Sequence, residues 1–290
     1  TLNQLYGPLI VEGGVGEGKD RSIRPAVVLP GETNPALPEL VIPVDESEQI
    51  DRLNVFNDAS QTQREGQLPS GDQGELSFNT LTGLGMAEDL TLNQGTAESP
   101  DLITFSGGIS YNDFEILEVL LGRGDDLLTV QSTLMTDANH GGLTVLHGGG
   151  GDDSFVVNGG AGPESPLVIF GDTSQDALRY SGESGVVSEH ARAYPFGGDD
   201  TIDASALFVD LGIGEFPAFG LTVYGGDGDD TIYGSQASDR LAGGSGNDTI
   251  FGLRGSDLIY GDSGINVDHV DRLLTVPTTN ASNHLNRDGL

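Results

Sequence analysis

From residue 225 to residue 260, large apolar side chains recur at every ninth position: Ile232, Leu241, Ile250 and Ile259. Six residues rich in Gly, Asp and Ser separate each short apolar run from the next. The segment is four unbroken copies of one unit, GGDGDDTIY, GSQASDRLA, GGSGNDTIF and GLRGSDLIY, with Gly at the front, Asp sixth and a large apolar residue eighth in all four. Such a unit predicts a tight turn followed by a three-residue strand. Two units then make one coil: turn, strand, turn, strand. Stacked coils pair their strands in parallel and point the eighth-place side chains inward. One coil buries too little apolar surface to stand alone, so several must stack.

The polar half of the unit carries the chemistry. Its glycines stand where a turn needs positive φ, which costs a residue with a Cβ about 1–2 kcal/mol. Alternate units lie above one another, so the sixth-place carboxylates fall into columns, Asp230 over Asp248 on one edge and Asp239 over Asp257 on the other. Successive coils are separated by ~4.8 Å. Like charges that close repel unless a cation neutralises them. Calcium suits the gap, because it accepts six to eight carboxylate and carbonyl oxygens in loose geometry. A flexible Gly/Asp linker is the competing reading, and four copies in register, each with an apolar eighth place, oppose it.

The pattern G-G-x-G-x-D-x-U-x resembles the nonapeptide of RTX (repeats-in-toxin) calcium-binding proteins. The resemblance implies a parallel β-roll in which Ca2+ bridges successive turns, held by carbonyls around Gly226, Gly228, Gly244 and Gly246 beside the Asp side chains.

Looser copies precede the strict ones: LGRGDDLLT at 121–129, GGGGDDSFV at 148–156, GDTSQDALR at 171–179 and PFGGDDTID at 195–203. They put Asp126, Asp153, Asp176 and Asp200 sixth, and Gly149 and Gly151 lie in the second of them. Apolar runs such as LTVLH at 143–147 and PLVIF at 166–170 flank them. The expectation is an all-β fold, one continuous parallel β-solenoid whose long irregular rungs (118–224) tighten into the β-roll (225–268). Asp126, Asp153, Asp176, Asp200, Asp230 and Asp248 would form a single edge column. Isolated β-turns in an ordinary β domain remain the alternative.

Residues 39–117 show strands without the nonapeptide: ELVIPV, LNVF, ELSFN, DLTLN, DLITF and FEILEV. They are expected to form further irregular rungs. The succession LTGLGM at Leu81–Met86, Tyr111–Leu117 and Gly122–Asp126 is similar to tandem repeats of very large bacterial surface proteins, which implies secretion and an extended, repetitive parent. Residues 1–38 read as the end of a preceding repeat plus a Pro-rich connection, and 269–290 as a cap or tail. The chain opens at Thr1 without a leader pattern and is read as a segment of a longer protein.

Composition narrows the partners. Forty-five acidic residues against 12 Lys and Arg give a formal charge of −33, which argues against nucleic acid or an anionic membrane surface. The chain has no cysteine, so disulfides and thiolate metal sites are excluded. No apolar run approaches the ~20 residues of a membrane-spanning helix.

Several enzymatic signatures fail on inspection. Gly13–Lys19 match a phosphate-cradling loop, but Asp20 replaces the Ser or Thr that would hold Mg2+. Gly261-Asp262-Ser263-Gly264 imitates a protease nucleophile segment, yet it is the start of another nonapeptide. The five histidines show no metal-ligand spacing, and His147, ending a strand before a Gly turn, is expected at the surface. Carboxylate pairs follow from the ladder itself and carry no catalytic information.

The function expected is therefore non-enzymatic: a calcium-binding structural or adhesive segment of a secreted or cell-surface bacterial protein that folds on Ca2+ outside the cell, with self-association through the solenoid ends. A surface or glycan ligand would remain unidentified. Two alternatives stand beside it, the calcium-binding C-terminal region of a secreted hydrolase and a carbohydrate-active β-helix.

Overall fold

The computed structural model describes residues 2–13, 50–57, 73–135, 141–172, 197–212 and 214–261, and the backbone of two short strands beyond them. Asp176, the strand expected at 39–44, the Pro25–Pro38 connection and most of the C-terminal tail lie outside the described residues. In chain order the strands are β1 (Leu9–Glu12), β2 (Arg52–Phe56), β3 (Gln73–Leu76), β4 (Thr80–Gly83), β5 (Leu90–Asn93), β6 (Leu102–Phe105), β7 (Ile109–Asn112), β8 (Ile116–Leu120), β9 (Leu127–Val130), β10 (Leu143–His147), β11 (Ser154–Val157), β12 (Leu167–Phe170), β13 (Thr201–Asp203), β14 (Thr222–Asp227), β15 (Thr231–Tyr233), β16 (Arg240–Ser245), β17 (Thr249–Phe251), β18 (Leu258–Tyr260), β19 (Val267–Asp268) and β20 (Leu273–Leu274). Among the described residues no helix is long and apolar enough to cross a membrane.

Two large sheets face each other. One runs β1-β7-β4-β3-β9-β11-β13-β15-β17, the other β18-β16-β14-β12-β10-β8-β2. From β8 to β18 the chain alternates between them at every turn, so each strand pairs in parallel with the strand two places further on. This is the expected parallel β-solenoid, closing as a β-roll. Glycine-rich turns make it possible, because each must carry the chain across the narrow edge in a few residues.

The eighth-place residues fill the interior. Leu128, Phe155, Ile202, Ile232 and Ile250 are register partners down one sheet. Val119, Leu146, Ile169, Val223, Leu241 and Ile259 are partners down the other. Most are fully buried, each such side chain contributing roughly 1.5–3 kcal/mol. Burial fades at the last coil, where Ile259 is 46% exposed.

Three expectations need correction. The N-terminal region is not a run of solenoid rungs throughout. A tight turn, closed by the Ser77 N–H donating to the Thr80 carbonyl at 2.8 Å, reverses the chain, so β3 and β4 pair antiparallel, as do β4 and β7. Strands β5 and β6 form a separate antiparallel hairpin, whereas β2 and β3 do join the solenoid in parallel through β8 and β9. Second, β1, expected at the end of a preceding repeat, is not separate from this fold: it pairs in parallel with β7 at the edge of the same sheet. Third, His147 is fully buried. The sheet that holds it is covered on its outer face too, where Ile116, Leu143, Val145, Val168, Phe170, Tyr224 and Ala242 form a second apolar cluster. Its ring stacks on Phe170 at 4.6 Å, and its Nε2 lies 3.7 Å from Glu118 Oε1.

Candidate metal centre at the Gly-Asp turns

Among the described residues, five turns stack along one edge of the solenoid. Their sixth-place aspartates form a continuous hydrogen-bonded ladder. The Asp126 N–H donates to Asp153 Oδ1 at 2.7 Å, Asp153 N–H to Asp200 Oδ1 at 2.8 Å, Asp200 N–H to Asp230 Oδ1 at 2.8 Å, and Asp230 N–H to Asp248 Oδ1 at 3.1 Å. Along the chain these steps span 27, 47, 30 and 18 residues. The ladder thus contains five of the six residues expected. Asp153 and Asp200 touch directly, and Asp176 lies outside the described residues.

The long step from Asp153 to Asp200 has a structural reason. Gly171 stacks under Gly225, the first place of the next turn, and Asp172 lies against Gly226, the second. Gly197 lies against Asp227, the third place, and Gly198 stacks against Gly228, the fourth. One turn is therefore assembled from two half-turns, Gly171–Asp172 and Gly197–Asp200, and residues 173–196 enter between its second and third places. A contiguous reading of 171–179 or 195–203 as a nonapeptide fails for this reason.

The turn glycines lie as their spacing requires. Gly149, Gly151, Gly226, Gly228, Gly244 and Gly246 all have positive φ, between +102° and +146°. At Gly246 a Cβ would also strike the carbonyl oxygen of Gly228 in the coil beside it. Side-chain-free turns bring carbonyl oxygens of successive coils close to the aspartate column.

Sequence reasoning missed two sets of carboxylates here. Fifth-place residues form a second, exposed ladder that runs the other way. The Asp152 N–H donates to Asp125 Oδ1 at 3.0 Å, Asp199 N–H to Asp152 Oδ1 at 2.9 Å, Asp229 N–H to Asp199 Oδ1 at 2.8 Å, and Asn247 N–H to Asp229 Oδ1 at 2.8 Å. The doubled acid in G-D-D at 125, 152, 199 and 229 was the available signal. Asp172 is the other omission. It is 5% exposed, and its carboxylate accepts the Asp227 N–H at 2.6 Å and the Gly198 N–H at 3.3 Å.

The column is electrostatically expensive as it stands. Asp153, Asp200 and Asp230 are each 1% exposed, and their Oδ2 atoms are buried without a hydrogen-bond partner. Burial pushes the Asp230 carboxyl up to about 8, with Asp248, Asp172 and Asp199 adding repulsion against the relief from the Asp200 N–H. Burial likewise raises Asp172 to about 7, and Asp153 and Asp200 well above the usual carboxylate range. A buried anionic oxygen with no donor costs several kcal/mol. A hard divalent cation removes both penalties by ionising the carboxylates and ligating their orphaned oxygens. Among the described residues no three acidic or histidine side chains converge on one point, so backbone carbonyls must complete any ligand set. The Gly-rich turns supply them.

The opposite edge differs. Asp239 and Asp257 do stack, the Asp239 N–H donating to Asp257 Oδ1 at 3.0 Å. Yet Asp239 is saturated by its neighbours. It accepts the Leu221 N–H at 2.9 Å, the Ser235 N–H at 2.6 Å and the Ser235 hydroxyl at 2.8 and 3.0 Å.

Comparison with known families falls on these turns: the RTX calcium-binding nonapeptide repeat matches residues 222–240 and 233–268, in four copies. Residues 222–268 are RTX repeats. RTX nonapeptides bind Ca2+, and the proteins that carry them are generally secreted. No curated protein and no solved structure gives a significant match to the chain.

Proposed function

We propose that this chain is a calcium-gated structural segment of a secreted bacterial protein, without catalytic activity, serving as an adhesive, spacer or fibre-forming element at the cell surface. The observation that carries the reading is the aspartate column itself. Asp153, Asp200 and Asp230 present buried, donor-free oxygens to glycine turns whose carbonyls can share a cation. Metal-free, the RTX coils combine stacked buried charge with the backbone entropy of many glycines, and that balance opposes folding.

Extracellular calcium modules typically bind with Kd of ~10⁻⁴–10⁻³ M. A site of that strength stays empty in a low-calcium cytoplasm and fills outside the cell, so export precedes folding. Self-association belongs to the same proposal: Ile259 and Leu258, 46% and 47% exposed, lie on the strand that ends its sheet among the described residues, where a second copy could continue the stack.

Far-UV circular dichroism tests the reading. Removal of metal with EDTA should abolish most β signal, and millimolar Ca2+, but not Mg2+, should restore it. A spectrum indifferent to chelation refutes the calcium gate. Sedimentation velocity across the same titration reads assembly, and a monomer at every calcium and protein concentration removes that part.

A further inference from the structure

Along the aspartate edge the second place of each turn is Gly122, Gly149, Asp172, Gly226 or Gly244. Only the split turn carries an acid there. Its carboxylate is folded inward, 5% exposed, and bonded across two coils, to Gly198 of its own turn and Asp227 of the next.

Its surroundings give that charge a purpose. The carboxylate oxygen of Asp172 occupies the space a Cβ on Gly226 would take, and Asp230 Oδ2 occupies the space a Cβ on the adjoining Gly225 would take. Asp200 Oδ2 fills the corresponding space at Gly171, the residue before Asp172. Asp200 and Asp230 are the members of the column that bracket this junction, and the Oδ2 of each is buried without a donor. Three buried carboxylates thus flank one coil boundary without converging on a single point, so turn carbonyls would complete a ligand set there. The boundary between the turns of Asp230 and Asp248 has no second-place acid, since Gly226 and Gly244 stand there.

We infer that the boundary between the split turn and the 225–230 turn is the highest-affinity calcium site of the edge, made so by Asp172, and that it fills first. The inference rests on the calcium reading above. The physical basis is charge count: calcium sites gain affinity with each carboxylate held rigidly nearby, and a buried charge acts at short range without salt screening. The site also gains from where it lies. Its two half-turns are joined through residues 173–196, so a cation held there closes a turn that the continuous backbone does not. Calcium loading would then begin in the middle of the solenoid and proceed toward the C-terminal coils.

Calorimetric titration of the full 290-residue chain with CaCl2 tests this, using Asp172→Asn, which keeps the shape and an acceptor oxygen but removes the charge, and Glu98→Gln as a control that removes an exposed charge in the β5–β6 hairpin. The tightest calcium step should weaken by about tenfold or more in Asp172→Asn and stay unchanged in Glu98→Gln. An Asp172→Asn titration that superimposes on the wild type overturns the inference while leaving the calcium reading intact. Wild-type protein that takes up no calcium overturns the calcium reading itself. Should Asp172→Asn fail to regain its β signal at saturating calcium, Asp172→Gly supplies the residue used by every other turn of this edge. Weakening of the first step in that folded variant supports the inference, and wild-type affinity in it refutes the inference.

Discussion

The two edges of the roll use the same nonapeptide for different ends. On one, Asp230 receives a single N–H, from Asp200, and its second oxygen is buried with no donor. On the other, Asp239 receives the Leu221 N–H, the Ser235 N–H and the Ser235 hydroxyl. The sixth-place acid is identical; its neighbours differ. Glycine at places two and four of the 225–230 turn brings no side-chain donor to Asp230. Ser235 and Ala237 occupy those places on the second, and the serine turns its donors onto the acid. A sixth-place aspartate is therefore left with an orphaned oxygen, as at Asp230, or saturated, as at Asp239, according to the donors that its own turn directs at it.

The largest effect should separate the edges by ion count. Asp230→Ala should bind at least one calcium fewer than the wild type by equilibrium dialysis. Asp239→Ala should keep the count but lower the thermal midpoint at saturating calcium, because the Leu221 and Ser235 N–H groups lose their acceptor at a cost of about 1–3 kcal/mol. Equal losses of calcium in both variants would erase the distinction.

Next in size is the response to pH. Asp172 and Asp230 have folded values of about 7 and about 8, raised from 3.8 mainly by burial. The metal-free fold therefore holds protons that the unfolded chain releases, and it loses stability as pH rises from about 4 to about 8. Calcium reverses the trend, since it binds the ionised form. Metal-free protein should keep more β signal at pH 5.5 than at pH 8, and the apparent calcium affinity should rise over the same interval. A metal-free fold that strengthens toward pH 8 contradicts the raised carboxylates.

Backbone exchange at place four gives the smallest and most local contrast. Gly246→Ala strains a φ of +139° and drives a methyl into the Gly228 carbonyl, so it should cost more than the ~1–2 kcal/mol of left-handed backbone alone. The converse change on the other edge, Ala237→Gly, should cost roughly 0.5–1 kcal/mol through chain entropy. Chemical denaturation at fixed calcium measures both, and similar losses would mean that the turns share one conformation after all.

The strict repeats were legible because local pattern and long-range pairing coincide in them: nine residues always bring the chain to the opposite sheet. Thus the stacking of Asp230 on Asp248 and of Asp239 on Asp257 followed from spacing alone. The split turn broke that equivalence. Gly171–Asp172 and Gly197–Asp200 form one turn in space, but a contiguous nonapeptide search assigns them to two, and that search elevated Asp176. His147 was expected at the surface because it ends a strand before a Gly turn, whereas β8, β10 and β12 are buried on both faces. Reversal at Ser77–Thr80 was overlooked because ELSFN was read as one strand, although Ser77 and Asn79 are turn-forming residues.

A bend that can be opened between its second and third places, without displacing the coils on either side, is a port for extra sequence. Chain closure costs only about 0.6 kcal/mol for each doubling of length. Cargo of very different sizes could hang from that seam while the layers above and below keep their alignment, and a cation seated at the seam would fasten both ends of whatever is carried.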